Sequence, residues 1–242
     1  MRAHVFALTL GFLSSCVTPP APIPMRAVRD ASPTSPAKCL VVFLPGAGDH
    51  AEHFTRENFV SAIRERKLSV DLISTDATLG YYLGGSIIER LEQDVLAGTP
   101  HYEHTWFIGN SMGGHGSLLY PSRKPGVVTG VLALAPWLGN TLPQEIAKAG
   151  GLPSWQPGDG QEFERLFWSW LQRVTVKGEA GPELWLGFGT ADRLANADEV
   201  LAAVLPPERV FRDEGGLHKW VTWHRLFVQF LEKSTFAEQC RP

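Results

Sequence analysis

Trp106-Phe107-Ile108-Gly109-Asn110-Ser111-Met112-Gly113-Gly114 joins an apolar run to the start of a short helical pattern, and its reading decides the fold. Three apolar residues before the first glycine fit the end of a buried strand. A strand that turns sharply into a helix forces its apical residue into strained backbone angles. Small neighbours on either side let the chain double back without a clash. The stretch therefore predicts an elbow that holds the Ser111 hydroxyl out at the top of a sheet, with the Met112 amide at the helix start facing the place where an oxyanion forms. A glycine-rich turn whose serine only caps a helix fits the same residues, so the rest of the chain has to decide.

Upstream, Cys39-Leu40-Val41-Val42-Phe43-Leu44 is a continuous apolar run that ends at Pro45-Gly46-Ala47-Gly48, consistent with a strand buried on both faces and a glycine turn. A helix over Glu52 to Arg66, a strand over Leu68 to Ser74 and an amphipathic helix over Ser86 to Val95 lead to the strand His104 to Ile108. Downstream, a helix through Tyr120 ends before Pro121. Strands follow at Val127 to Leu134, Leu184 to Phe188 and Arg209 to Phe211, with a closing helix over Trp220 to Lys233. Strands alternating with helices predict an α/β fold, a mostly parallel twisted sheet covered on both faces with its site at the carboxyl ends of the strands. The interval 137–181 breaks the rhythm and reads as a small cap inserted above that site. Its aromatics Trp155, Phe167, Trp168 and Trp170, with Trp137 at its start, either line an apolar substrate pocket or pack the cap onto the body; Trp137, Trp155 and Trp168 are the pocket candidates.

A nucleophilic serine needs a base, an acid that orients the base, and donors for the oxyanion. The donor loop is Pro45 to Gly48, with Ala47 supplying the amide that joins Met112. The acid is Asp192 in Gly189-Thr190-Ala191-Asp192. Its rival Asp198 falls in the first turn of a helix capped by Asn196 and Glu199, where the helix dipole alone explains a carboxylate. The base is His218 in Gly215-Gly216-Leu217-His218, a loop between the last short strand and the last helix, with His224 as fallback. His115 sits one turn into the elbow helix and suits packing better than proton transfer.

The ends set the context. Met1 to Leu13 has the charged start and short apolar core of a secretory signal, too short to span a bilayer. Leu13-Ser14-Ser15-Cys16 resembles the lipobox of bacterial lipoproteins, which assigns 1–15 to a signal peptide and makes Cys16 the lipidated residue. The prolines of 16–38 predict an extended tether without a core, leaving 39–242 as the folded domain. Export permits a disulfide. The first strand begins where the last helix ends, so Cys39 and Cys240 are expected to pair, against the alternative of two free thiols at frayed ends. The 22 basic and 25 acidic residues nearly balance and form no basic block, which gives no footprint for nucleic acid.

Gly109-Asn110-Ser111-Met112-Gly113-Gly114-His115-Gly116 and Gly216-Leu217-His218-Lys219-Trp220-Val221-Thr222-Trp223 resemble the corresponding pieces of the α/β-hydrolase superfamily, in its esterase D-like branch, over about residues 39–236. The resemblance implies a carboxylic-ester hydrolase acting on a small-molecule ester through a Ser-His-Asp triad, with no metal or organic cofactor. Two departures stand out: no strand is read before Cys39, and the cap matches no known substrate class. An exported, lipid-anchored serine esterase of the cell envelope is the leading expectation. The others are a lipase or thioesterase for longer acyl chains, and a catalytically silent hydrolase fold used for binding.

Overall fold

The apolar run before Gly109 is the middle strand of seven. The computed structural model describes residues 21–160 and 162–242; the expected signal peptide and Cys16 lie outside them. The strands are β1 (Ala27–Asp30), β2 (Cys39–Leu44), β3 (Val70–Thr75), β4 (His104–Asn110), β5 (Gly130–Leu134), β6 (Glu183–Gly189) and β7 (Val210–Asp213). They form one sheet in the order β1-β3-β2-β4-β5-β6-β7. Every neighbouring pair is parallel except β1 with β3. β2 and β5 are buried along their whole length, as strands must be when helices cover both faces of a parallel sheet.

The helices are α1 (Glu52–Arg56), α2 (Phe59–Glu65), α3 (Leu79–Leu83), α4 (Ile87–Arg90, continued by a π-helical turn Leu91–Leu96), α5 (Met112–Arg123), α6 (Leu142–Lys148), α7 (Phe163–Thr175), α8 (Ala195–Ala202), α9 (Trp220–Lys233) and α10 (Phe236–Gln239). Consecutive residues of β4 show how the two layers are divided. Trp106 packs on Phe230 of α9 and Phe236 of α10, whereas Phe107 packs on Tyr120 of α5. Neighbouring side chains on a strand point to opposite faces, so α5 and α9 cover opposite sides of the sheet.

Three expectations need correction. Residues 27–30 of the expected tether form β1, whose register pairs Ala27 with Thr75 and Asp30 with Leu72. Met25 is buried and its amide donates to Asp94 (2.8 Å), while Arg64 binds the Asp30 carboxylate. A four-residue edge strand gains its order from the backbone of its neighbour, which leaves little apolar pattern to read, and it supplies a strand ahead of Cys39. The helix expected over Glu52 to Arg66 is two helices, because Asn58 takes a left-handed φ of 65°. The elbow helix runs past Pro121 to Arg123; a proline within the last turns forfeits a single backbone hydrogen bond and the helix continues one turn. The interval 137–181 carries α6 and α7 as the crossover from β5 to β6.

Cys39 and Cys240 form a disulfide with Cα atoms 5.6 Å apart. It ties the bottom of β2 to the chain end, and the Ser69 amide donates to the Cys240 carbonyl beside it (2.7 Å). Such a bond is the chemistry of an oxidising, non-cytoplasmic compartment. Among the described residues, no helix is long and apolar enough to cross a membrane.

Candidate active site

The register of the sheet brings the separate sequence motifs to one edge. Gly109 of β4 lies between Leu44 of β2 and Ala133 of β5, so the loops leaving all three strands emerge together. Gly189 of β6 pairs with Asp213 of β7, and the Ala191 amide donates to the Gly216 carbonyl (3.0 Å), which clamps the acid loop to the histidine loop.

Ser111 sits at the tip of the β4–α5 turn with φ 53° and ψ −117°, a conformation that side-chain-bearing residues rarely adopt. Its amide donates to Leu134 (2.8 Å) and its carbonyl accepts from Trp137 (3.0 Å), so the end of β5 holds the strained residue on both sides. The glycines explain why the turn closes. A Cβ on Gly109 would overlap the Gly113 carbonyl, and one on Gly113 would overlap the Leu44 carbonyl. Only bare backbone fits where α5 begins against the end of β2.

The Ser111 hydroxyl lies 2.9 Å from His218 Nε2, and His218 Nδ1 lies 2.7 and 2.9 Å from the two oxygens of Asp192. A carboxylate only accepts, so Nδ1 carries the imidazole proton and Nε2 is left free to accept from the Ser111 hydroxyl. Asp192 Oδ1 also accepts from the Leu194 amide (2.9 Å). Its side chain is fully buried, whereas His218 keeps 16 % of its surface exposed. Trp223 meets the His218 ring edge-on at 4.9 Å and fixes its plane. The structure thus brings Ser111, His218 and Asp192 into one hydrogen-bonded file. His224 lies within α9 against the Phe59 ring, outside that file.

On the other side of Ser111, a Cβ on Gly46 would sit 3.4 Å from the Ser111 Cβ, so the start of the Pro45–Gly48 loop packs against the base of the Ser111 side chain. Met112 opens α5, and amides in the first turn of a helix have no acceptor within it. Ala47 itself is exposed.

Asp198 lies in the first turn of α8 as expected, but not on its exposed face. α8 begins at Ala195 without a side-chain cap, and Asp198 points inward, 0 % exposed, with neither carboxylate oxygen partnered. Burial first, then the nearby charges of Asp192 and Glu199, hold its proton well above the usual carboxylate range. The same sheet edge therefore holds one carboxyl that accepts hydrogen bonds from His218 and the Leu194 amide and one buried without a partner.

A cavity of about 610 Å³ opens beside the elbow, lined mainly by apolar side chains, among them Ile87, Met112, Trp137 and Phe163. Of the expected pocket aromatics only Trp137 lines it. Trp155 and Trp168 are buried within the crossover, their indole N–H groups donating to Glu145 Oε1 and the Leu138 carbonyl (both 2.8 Å). A bulky indole between two helices and a sheet finds more apolar contact than at a cavity wall, so these two hold α6 and α7 in place. Sequence reasoning missed Phe163, Tyr82 and His115 as lining residues. His115, 2 % exposed, is enclosed by the rings of Trp137, Phe163 and Phe167 at 4.8 to 5.7 Å. Burial lowers its pKa to about 4, a hydrogen bond with the Trp137 backbone opposing the shift, so the ring is neutral at neutral pH. Its position four residues after Ser111, facing α7, was the only sequence signal available.

A family model described as "Esterase: Putative esterase" matches residues 81–233, more than half of the chain and all three members of the file. The chain belongs to this esterase family. It is a hydrolase acting on esters. Solved structures similar to it include Est1E from Butyrivibrio proteoclasticus (18 % identity, TM-score 0.59, covering 89 % of this chain and 94 % of that one). An S-formylglutathione hydrolase from Staphylococcus aureus matches at 15 % identity and TM-score 0.58, over 81 % and 80 %. A monoacylglycerol lipase from Paleococcus ferrophilus matches at 16 % and 0.52, over 89 % and 99 %. At such identities these likenesses establish the α/β-hydrolase fold. No curated protein matches the sequence.

Proposed function

We propose that this esterase works by acyl transfer through Ser111, His218 and Asp192. The observation that carries the reading is the unbroken file of hydrogen bonds from Ser111 Oγ through His218 to Asp192. As Oγ attacks the ester carbonyl carbon, its proton passes to His218 Nε2, and the carbonyl π electrons become an oxyanion held by the Ala47 and Met112 amides. Collapse breaks the C–O bond to the alcohol, which leaves with the proton from Nε2. Water, deprotonated by the same nitrogen, then attacks the acyl-enzyme and releases the acid and Ser111. Asp192 keeps Nδ1 protonated and stabilises the imidazolium that forms twice per turnover.

Hydrolysis of nitrophenyl esters tests this. Ser111→Ala and His218→Ala are each expected to lower kcat by several orders of magnitude, and Ser111→Ala to abolish fluorophosphonate labelling. Retention of activity in either variant overturns the assignment. The apolar cavity favours a bulky or longer acyl group over acetyl, so kcat/KM is expected to rise with acyl chain length; a maximum at acetyl refutes that preference.

We further propose export with a lipid anchor at Cys16, a short tether joining it to β1. The disulfide supports the export half of this reading. Labelling with a radioactive fatty acid in a bacterial host is expected for the full chain and lost in Cys16→Ala; an unlabelled wild type overturns the anchor.

A further inference from the structure

Antiparallel pairing of β1 with β3 sets Ala27 beside Thr75, the last residue of β3. The chain therefore enters the fold at the carboxyl edge of the sheet, the edge that carries Ser111. The residues ahead of β1 are fastened there. The Tyr81 hydroxyl of α3 donates to the Pro22 carbonyl, and the Asp76 amide donates to the Arg26 carbonyl (2.8 Å). Ala21 and Pro22 wall a second cavity together with Gly48 of the Pro45–Gly48 loop, and Leu79 lines both this cavity and the one that begins at Met112.

Exposed apolar side chains gather at the same edge. Of the seven large ones among the described residues, five stand around the two cavities and the histidine loop, between 44 and 70 % exposed. Ile23 follows Pro22, Leu83 and Phe163 line the Met112 cavity, and Leu217 and Val221 lie on either side of His218 in sequence. The other two, Val127 and Val176, sit on the segments that lead into β5 and β6, at the opposite end of the sheet. Arg193 and Lys219, next to Asp192 and His218, are exposed and paired with no carboxylate among the described residues. A single exposed apolar side chain needs no explanation. Five around one opening, with unpaired cations among them, have the composition of a surface that meets lipid.

The reach of the anchor decides which end faces the membrane. Five peptide steps separate Cys16 from Ala21, at most about 18 Å at ~3.6 Å each. The other end of the sheet is a further strand length away, roughly 20 Å. A lipid on Cys16 thus holds the catalytic edge, and not the disulfide end, against the bilayer.

We propose that the carboxyl edge of the sheet docks on the phospholipid bilayer that carries the anchor. Ile23, Leu83, Phe163, Leu217 and Val221 enter the headgroup boundary, and Arg193 and Lys219 meet anionic headgroups. The orientation rests on the lipidation of Cys16 proposed above, whereas the docking face rests on residues of the folded chain alone. Ser111 then opens toward lipid, and the substrate class is an ester that partitions into the bilayer, its acyl chain passing into the apolar cavity without crossing water.

The test places a polarity-sensitive fluorescent amino acid in the full chain, expressed in a bacterial host, instead of Leu217, Leu83 or, as the control, Val127. Each protein is mixed with vesicles of phosphatidylethanolamine and phosphatidylglycerol at about three to one. Emission from positions 217 and 83 is expected to shift to the blue and to be quenched by nitroxide-bearing lipid, while position 127 stays unchanged. No shift at 217 and 83, or an equal shift at 127, overturns the docking face. Shifts at 217 and 83 that appear on raising the protein concentration without lipid assign the face to a second copy and overturn it too. Mass spectrometry of the amino-terminal peptide reads the lipid separately, so an unmodified Cys16 overturns the anchor while the fluorophores still decide the face; neither readout depends on Ser111. Activity supplies the second arm. Ile23→Asp/Val221→Asp is expected to keep kcat/KM for soluble 4-nitrophenyl butyrate within about twofold, and to lower turnover of a long-chain nitrophenyl ester embedded in the vesicles by about tenfold or more. Val127→Asp/Val176→Asp should change neither. Unchanged turnover of the embedded ester in the first variant, or an equal loss on both esters, overturns the docking role of these side chains.

Discussion

Two aspartates six residues apart, Asp192 and Asp198, show how much of a side chain's behaviour is set by its partners. Asp192 accepts from His218 and from the Leu194 amide, whereas Asp198 is buried with no partner and holds its proton. The second makes a prediction when set beside His115. A folded-state pKa raised above the unfolded value gives Asp198 a stabilising contribution that is present below about pH 4 and lost as pH rises through the folded pKa. His115 has the opposite sign: lowered from 6.5 to about 4, it contributes stability above pH 6.5 that is lost as pH falls toward 4. As pH rises from about 4 the two slopes oppose. In Asp198→Asn the His115 slope remains alone, so stability relative to wild type should rise as pH increases from about 4. Urea unfolding across that range measures it, and parallel profiles for variant and wild type would show that Asp198 ionises normally. The sequence separates the two aspartates by position, because one follows a strand at the sheet edge. It misjudged the environment of Asp198, since whether a helical carboxylate faces solvent depends on where the helix is laid, and a cap pattern at Asn196 carries no information on that. His115 and Tyr82 were hidden for a related reason: a cavity wall is assembled from elements distant in sequence.

At the scale of elements, legibility followed the apolar run. β2 and α9 have the boundaries that their sequences predicted, because a strand buried on both faces and a helix with a continuous apolar stripe each announce their period. β1, two polar residues in four, had no such signal, and the break at Asn58 turns on one residue's backbone angle. The elbow was legible for a stricter reason: its glycines are demanded by the near-contact of α5 with the end of β2. That contact makes Gly113→Ala a severe substitution despite its size. The added methyl overlaps the Leu44 carbonyl, which belongs to backbone in the middle of the sheet and has nowhere to move. Overpacking of this kind costs about 1–3 kcal/mol or more, and any relief must tilt α5 and displace both the Ser111 hydroxyl and the Met112 amide. Loss of Tm should therefore come with a fall in kcat of at least tenfold in the fraction that stays folded. A variant with lowered Tm but wild-type kcat at 25 °C would mean that strain at α5 does not reach Ser111.

Over the whole molecule, the chemistry and the main covalent constraint sit at opposite ends of the sheet. Cys39 begins β2, while the Pro45–Gly48 loop that packs against Ser111 follows its last residue, so the six-residue strand separates them by roughly 20 Å at ~3.3 Å per residue. The disulfide spans 201 positions and encloses nearly all of the folded chain. In the chain-entropy model a loop of that length is worth about 5 kcal/mol, acting on the unfolded ensemble. For a domain of this size that corresponds to a Tm lower by roughly 10–20 °C once the bond is gone. Alanine at both positions is the cleaner replacement, since serine would add two hydroxyls where both cysteines are fully buried. Cys39→Ala/Cys240→Ala should thus unfold at markedly lower temperature in calorimetry while hydrolysing esters at 25 °C with unchanged kcat/KM. Wild type scanned in reductant should move toward the same Tm. If activity at 25 °C fell together with Tm, the bond would be holding the folded sheet in register, and the separation between the stabilised bottom and the reactive top would not stand.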